Sequence, residues 1–280
     1  MQFNKAQVII LAVLLGLVGI LVYLNYKSST PDVLPTPQKA GLEQVKPFDF
    51  NEYLSHLQDS VSPETWQQII EQTKIATAPE AKIYEIASLV SLWDSLGFKL
   101  VSAQYFSKVA GRLNDENSWF NSGLRFYEFA TTCQDTSMQI YGYKQAIQAL
   151  EKVVTLNENN IEAKNTLAVC YIQNDLDIMK GVQLLKDVTR RDSNNIDANY
   201  TLGMLSMRSG QIDKAAARFE ALTRIQPMNP EFYYYLGEAY SQMGKKNEAI
   251  KAFETFKGLV PDAEAKKNIE ITINNLKKSN

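Results

Sequence analysis

The fold is decided by two stretches of the sequence that align with each other, LGMLSMRSGQIDKAAARFEALTRIQP at residues 202–227 and LGEAYSQMGKKNEAIKAFETFKGLVP at residues 236–261. They lie 34 positions apart and share small residues, an aromatic residue and a final proline at matching places. A repeat of this length in helical units is typical of a solenoid, in which each unit buries its apolar face by stacking on its neighbours. The matching positions are Gly203 and Gly237, Ala215 and Ala249, Phe219 and Phe253, and Pro227 and Pro261.

A third unit precedes these two, with Ala168 in the register of Gly203 and one residue inserted in the turn near Asp175. Apolar residues recur with a helical period from Phe48 onward, and no segment alternates as a strand does. Small residues at fixed helical positions let two helices approach closely, so that large neighbouring side chains interlock beside them. The sequence therefore predicts an all-α fold, an α-solenoid of helix-turn-helix repeats.

In spacing and in residue size, these units resemble the tetratricopeptide repeat (TPR) family. The resemblance is strong over Ile161–Asp262 and weaker over Glu116–Glu158. It implies a chain built to hold other proteins in a groove formed by stacked helical pairs. The predicted divisions are a divergent helical, TPR-like region at 48–115, TPR repeats at 116–262 and a C-terminal capping helix at 263–280.

Two departures from the family pattern lead to expectations about packing. Asn199 and Ser206 stand where the family usually has aromatic residues, so we expect their unit to pack less well. The unit that begins at Glu116 is about a dozen residues longer than the family pattern, and we expect the extra residues in the turn near Thr132–Thr136.

The start of the chain predicts a membrane anchor. No charged residue occurs from Val8 to Leu24, and Leu, Ile and Val supply thirteen of these seventeen positions. With its flanks, the segment 6–26 would form a helix of about 31 Å, enough to cross the hydrocarbon core. A cleaved signal peptide is the alternative, but it would have a shorter apolar region and a small-residue cleavage site. We expect an N-terminal tail and single transmembrane helix at 1–27 and a proline-rich linker at 28–47.

The charges beside this segment bear on orientation. Lys5 and the amino terminus precede the span, whereas Lys27 alone follows it closely, which favours an inside amino terminus. We therefore expect a single-pass protein of the bacterial cytoplasmic (inner) membrane with its soluble domain in the periplasm.

Composition and single residues argue against several other functions. The net charge of −2 gives no reason to expect nucleic-acid binding. Cys133 and Cys170 are either two free thiols or one disulfide. The single histidine, His56, cannot build an ordinary zinc site with two separated cysteines. No phosphate-binding loop or paired catalytic residues are evident, so we expect no enzymatic activity, cofactor or metal.

The TPR resemblance also implies a binding surface on the first helix of each repeat, along the concave groove. Arg208 is the only cation in this set, so a clamp for a carboxyl-terminal carboxylate is not expected. An acidic surface with aromatic and methionine side chains favours a peptide or helical segment with apolar and basic residues. The alternative is an ordinary solvated face. The predicted groove residues are Glu162, Asn165, Val169, Asp197, Tyr200, Met204, Met207, Arg208, Glu231, Tyr234 and Glu238.

The predicted function is that of a membrane-anchored scaffold or adaptor that binds protein partners in this groove. Its layout is similar to that of ancillary TPR proteins of the secretion translocon and of envelope assembly, which implies a role in secretion, folding or complex assembly. A cytochrome c maturation-type protein, whose repeats hold an apoprotein segment, is the first alternative. A structural scaffold that self-associates, through the repeats or through Ala12 and Gly16, is the second.

Overall fold

Helices follow one another with short connections through the computed structural model, which describes residues 46–173 and 177–278. Within these ranges the chain is all-α, as predicted, and a short 3-10 helix at Leu57–Ser60 follows the first α-helix. The α-helices are α1 (Phe50–His56), α2 (Pro63–Ala76), α3 (Ile83–Ser95), α4 (Lys99–Leu113), α5 (Glu116–Thr132), α6 (Thr136–Leu156), α7 (Ile161–Gln173), α8 (Ile178–Arg191), α9 (Ile196–Arg208), α10 (Ile212–Ile225), α11 (Pro230–Gln242), α12 (Lys246–Leu259) and α13 (Ala263–Lys278).

The helices pack in consecutive pairs, and each pair packs on the next. The pairs are α3 with α4, α5 with α6, α7 with α8, α9 with α10, and α11 with α12. Each second helix also contacts the first helix of the following pair, and α13 packs on α12. Consecutive first helices also touch, α5 with α7 and α7 with α9, which places them side by side on a common surface. This is the stacked arrangement expected of a TPR solenoid.

Side chains at the helix starts explain why the helices begin where they do. The Thr65 amide donates to Ser62 Oγ at 3.2 Å, and Pro63 occupies the first turn of α2. The Ala265 amide donates to Asp262 Oδ1 at 2.6 Å, so Asp262 caps the start of α13. Asp115 and Asp135 accept bonds in the same way at α5 and α6. These caps satisfy amides that a helix leaves unpaired at its start.

Small residues lie where paired helices approach most closely, as expected. A Cβ placed on Gly203 would lie 3.0 Å from Phe219 Cζ, and one on Gly237 would lie 2.5 Å from Phe253 Cε1. Both phenylalanine side chains are fully buried. Ala168, the matching residue of the preceding unit, is also fully buried. In these two pairs, α9 with α10 and α11 with α12, the phenylalanine ring of the second helix therefore packs against the glycine of the first helix.

The prediction of a long turn near Thr132–Thr136 is wrong. Only three residues separate α5 from α6, and the two helices are 17 and 21 residues long. The extra residues extend the helices because both ends carry apolar residues that pack into the core, among them Phe129 and Tyr141. Gln139 Nε2 donates to the carbonyl of Ala130 at 3.1 Å and ties the two extended ends together.

The region before Glu116 packs against the repeats without a gap. Leu89, Trp93 and Val101 form a buried cluster between α3 and α4, and α4 contacts α5 directly. The described residues accordingly form one compact unit. The division at residues 115 and 116, like the other predicted boundaries, stays a division made from the sequence.

The predicted anchor lies outside the described residues. So does the predicted linker as far as residue 45. Among the helices that the structure describes, none has both the length and the apolar character needed to cross a bilayer. The transmembrane helix therefore stays a prediction from the sequence.

Candidate protein-binding surface

The predicted groove residues lie on the three first helices α7, α9 and α11, at different depths. Glu162, Asp197 and Tyr234 are exposed, whereas Asn165 is buried at 8% exposure. The remaining seven are partly buried. These are Val169, Tyr200, Met204, Met207, Arg208, Glu231 and Glu238.

The structure brings Tyr200 and Glu231 together at the boundary of α9 and α11. The Tyr200 hydroxyl donates to Glu231 Oε1 at 2.7 Å. The Tyr200 ring lies 6.2 Å from that of Phe232 and 6.0 Å from that of Tyr235 between centroids, the latter in an edge-to-face arrangement. A partly buried carboxylate therefore sits against an aromatic cluster that joins two consecutive repeats.

Burial changes the acidity of this cluster. Desolvation raises the pKa of Glu231 above its ordinary value, although the hydrogen bond from Tyr200 opposes the shift. Desolvation, with the nearby Glu231 carboxylate, raises the pKa of Tyr200. Burial also raises the pKa of Glu238 on the same helix. A cationic group placed beside these carboxylates would offset the cost of desolvating them.

Tyr234 extends this cluster to the surface. Its ring lies 5.4 Å from that of Tyr235 and 5.5 Å from that of Phe256, and 37% of the residue remains exposed. Burial raises the pKa of Tyr234, and the negative charge of Glu238, four residues further along α11, adds to this shift. We call Tyr200, Glu231, Tyr234, Tyr235 and Glu238 the aromatic–acidic surface.

The other predicted residues divide between two further environments. Met204 and Met207 pack beside the aromatic cluster of α10 and α11 and border the aromatic–acidic surface. Arg208 instead lines a cleft between α8, α9 and α10, which the sequence analysis did not identify.

On α7, Asn165 has a structural contact. Its amide donates to Asn195 Oδ1 at 3.0 Å, and Asn195 itself caps α9. Glu162 and Val169 lie on the same helix, outside the ring contacts of α9 and α11. The predicted set therefore converges on α9 and α11 rather than on all three helices.

Two residues of the cluster escaped the sequence analysis. Phe232 and Tyr235 occupy positions of α11 at which the family pattern does not place groove residues. The signal was present in the run EFYYYLGEAY at residues 231–240, which has more aromatic residues than one buried stripe of a helix requires.

The cysteines and the histidine form no site with one another. Both thiols are free, with Cys170 buried and Cys133 half-buried. Desolvation raises the pKa of each thiol. His56 is exposed in the last turn of α1. Residues 46–173 and 177–278 contain no group of three or more histidine, cysteine or acidic residues able to hold a metal ion.

Comparison with known proteins agrees with the observed architecture. Two family models match the chain, "TPR repeat" over residues 206–244 and "Tetratricopeptide repeat" over residues 231–263. Together these matches cover residues 206–263, from the end of α9 to the end of α12, and so include α11, which carries four of the five residues of the aromatic–acidic surface. Residues 206–263 of the chain are therefore tetratricopeptide repeats.

Solved TPR structures share the fold at low sequence identity. MamA is 22% identical with a TM-score of 0.51, over 62% of this chain and 89% of MamA. YrrB, described as a TPR protein with an unusual peptide-binding site, is 15% identical with a TM-score of 0.51, over 71% of this chain and 97% of YrrB.

A curated relative is much longer than the shared segment. Superkiller protein 3 of Schizosaccharomyces pombe is 26% identical over 182 residues, which is 59% of this chain and 13% of that protein. The match therefore concerns a segment of repeats and not the whole of that protein.

Proposed function

We propose that this protein is a scaffold that holds a segment of a partner protein on the aromatic–acidic surface. The observation that carries the proposal is the joining of two repeats by the Tyr200–Glu231 hydrogen bond, beside the exposed ring of Tyr234. Rigid aromatic side chains supply contact area at a low entropic cost, and the carboxylates select basic groups. The favoured ligand is an extended or helical peptide with apolar and basic residues. A peptide ligand is also the class that the description of YrrB gives for that protein.

Binding of designed peptides tests this surface directly. The probe is a fluorescent peptide with two leucines and two lysines at helical spacing, titrated with the full chain in mild detergent. Tyr234→Ala and Glu238→Gln should each weaken binding by roughly fivefold or more, since each removes one contact on the rim. Tyr84→Ala is the control, because Tyr84 is a surface tyrosine on α3 that is more exposed than Tyr234, at 64%. Equal affinity in all four proteins would remove this surface from the proposal.

The location proposed for the scaffold is the bacterial cytoplasmic membrane, with the repeats in the periplasm. It is supported by the uncharged apolar segment from Val8 to Leu24 and by the lysine that precedes it. Protease added to intact and to permeabilised cells tests the orientation. Digestion of the repeats in cells whose outer membrane alone is permeabilised is expected, and protection until the inner membrane is broken would contradict it.

The pathway proposed is protein secretion, folding or complex assembly in the envelope. It rests on the layout of an anchor followed by repeats. Co-purification from membranes in mild detergent should recover translocon or assembly subunits. Recovery of haem-ligation components would favour the cytochrome c maturation alternative, and recovery of the chain alone as an oligomer would favour self-association.

A further inference from the structure

A cleft on the side of the second helices differs from its counterparts in the neighbouring repeats. In the units of α7 and α11, a tyrosine of the first helix bonds to a glutamate of the preceding second helix. Tyr171 donates to Glu151, and Tyr240 donates to Glu220 Oε1 at 2.6 Å. Lys180 adds to the first pair, with its Nζ 2.7 Å from Glu151 Oε1. In these repeats, therefore, a tyrosine hydroxyl and a carboxylate are bonded to each other across the junction.

The unit of α9 has neither partner of this pair. Ser206 stands in the register of both tyrosines, and Lys186 stands in the register of both glutamates. The Ser206 hydroxyl donates to the carbonyl of Leu202 in its own helix, at 2.8 Å. The junction has thus lost an aromatic ring and exchanged a negative charge for a positive one.

A cleft of about 550 Å³ lies at this junction, between α8, α9 and α10. Its walls include apolar side chains such as Val182 and Met179, and Met179 is 64% exposed. Four cationic side chains line this cleft, and none of the residues that the structure places in its walls is an aspartate or a glutamate. We call this the cationic cleft. The four are Lys186, Arg208, Lys214 and Arg218.

The comparable cleft one repeat earlier shows that charge, rather than volume, is what differs. It measures about 610 Å³ and contains Glu151 and Lys180, which pair with each other. Arg218 of the cationic cleft corresponds there to Leu184, which is apolar. That cleft thus holds two lysines and one glutamate, Lys152 being the second lysine, whereas the cationic cleft holds four cationic side chains.

Arg218 is held in place within the cleft. Its Nη1 donates to Asn199 Oδ1 at 2.6 Å, and Asn199 is itself 2% exposed and bonded to two backbone carbonyls. Burial lowers the pKa of the Arg218 guanidinium, which reflects the cost of desolvating a charge there. An anionic group beside it would offset that cost.

We propose that the cationic cleft binds an acidic segment of a partner protein that carries an aromatic residue. The ring would enter beside Ser206, where the neighbouring repeats place their own tyrosine, and flanking carboxylates would pair with Lys186 and Lys214. The ligand would thus carry the same two groups that the neighbouring repeats carry at this junction, a tyrosine beside a glutamate. This surface and ligand are distinct from the aromatic–acidic surface and its basic ligand.

The probe for this proposal is a blocked, fluorescein-labelled peptide with one tyrosine between pairs of glutamates, titrated with the full chain in mild detergent. The test variant is Ser206→Tyr with Lys186→Glu, which restores the pair found in both neighbouring repeats and should preserve folding. We expect at least tenfold weaker binding to this variant, and weaker binding to wild type as salt is raised. Lys251→Glu, an equal change of charge at an exposed lysine of α12, should bind as wild type does.

Further arms separate the alternatives. Lys186→Glu alone, at an exposed side chain, should weaken binding without filling the cleft. Tyr234→Ala should bind this probe as wild type does, so failure of the aromatic–acidic surface would not affect the result. Absence of binding to wild type, or equal binding to the double variant, would overturn the proposal. Binding of dodecanoate in place of the peptide would overturn it in favour of an anionic lipid.

Discussion

Single side chains set how closely the helices of a pair approach. Gly203 and Gly237 have no side chain at the point where Phe219 and Phe253 meet the first helix. The phenylalanines are fully buried, so they have little room to move away from a larger neighbour. The packing of each pair thus depends on one missing methyl group.

Gly237→Ala should destabilise the last repeats, because the added methyl would lie 2.5 Å from Phe253 Cε1. We expect a loss of roughly 1–3 kcal/mol in the free energy of unfolding, as for other overpacked cores. Urea denaturation followed by circular dichroism measures it. Gly258→Ala in α12 is the matched control, since a Cβ there meets nothing within 4 Å. Because alanine favours helix more than glycine does, Gly258→Ala should be neutral or slightly stabilising. A Gly237→Ala variant as stable as Gly258→Ala would show that the ring contact does not limit this position.

Glu231→Gln should change how stability depends on pH. The pKa of Glu231 is raised by burial, so the folded chain binds this proton more tightly than the unfolded chain does. Its contribution favours folding below the unfolded pKa and is lost as pH rises through the folded pKa. The variant does not titrate here, so its stability relative to wild type should rise with pH across that interval. Urea unfolding at several pH values above and below about 4.3 measures the difference.

Glu270→Gln supplies the opposite sign. Lys257 lies 2.5 Å from Glu270 and lowers the pKa of that carboxyl. Its contribution to folding is present above the unfolded pKa and is lost as pH falls. The stability of this variant relative to wild type should therefore fall as pH rises, by a small amount because the pair is exposed. Parallel slopes for the two variants would contradict the assignment for Glu231.

At the scale of the helix, caps and connections were largely predictable. Ser62 with Pro63, and Asp262, mark helix starts by residue type alone, and the structure confirms both. The ends of α5 and α6 were not predictable from the sequence. No glycine or proline occurs there, so the residue types do not distinguish a helix that continues from a long turn. Packing of Phe129 and Tyr141 decides in favour of helix, and such tertiary contacts have no local signature.

The binding surfaces were partly predictable for the same reason. The repeat register alone predicted Tyr200, Glu231 and Tyr234 as surface residues of the first helices. The structure shows that they lie close to one another. The cationic cleft depends on residues from three helices, and only comparison between repeats indicates it. Ser206 was recognised in the sequence as a departure, but its partner Lys186 becomes apparent only once the helices are placed side by side.

Asn195→Ala should cost more than Asn229→Ala, although both residues cap first helices. Asn195 Oδ1 accepts both the Ala198 amide and the Asn165 side chain, each at 3.0 Å. Asn229 Oδ1 accepts the Glu231 amide of its own helix, at 3.0 Å. A lost cap costs about 1 kcal/mol, and the buried Asn165 amide left without its partner adds about 1 kcal/mol or more. Thermal melts of the two variants compare them, and equal melting temperatures would show that the bond between repeats contributes nothing.

At the scale of the whole array, α13 covers the last pair. Ile269 and Ile273 are buried against Phe253 and Phe256 of α12, while the outer side of α13 carries lysines and glutamates. A stacked array needs such a polar end to avoid continuing onto another copy. The sequence predicted this arrangement from the polarity of the segment.

Removal of residues 263–280 should therefore expose the apolar side of α12. We expect the shortened chain to bind a hydrophobic dye or to associate with itself at concentrations where the full chain does neither. Light scattering and dye fluorescence measure the two effects. Ile271→Ala, at an exposed isoleucine of α13, is the control and should behave as the full chain does. A shortened chain that stays monomeric and binds no dye would show that α13 is dispensable.

The presence of Ser206 where the neighbouring repeats have tyrosine also has a consequence for how the array unfolds. In a linear stack, rupture begins at the weakest junction and not at the ends alone. The junction of α8 with α9 and α10 lacks the tyrosine–glutamate link of its neighbours and holds several like charges. We expect amide hydrogens of α9 and α10 to exchange with deuterium sooner than those of α11 and α12, and an acidic ligand to slow that exchange. Local unfolding of the array would then begin at this junction, and binding of the acidic ligand in the cationic cleft would control how often it opens.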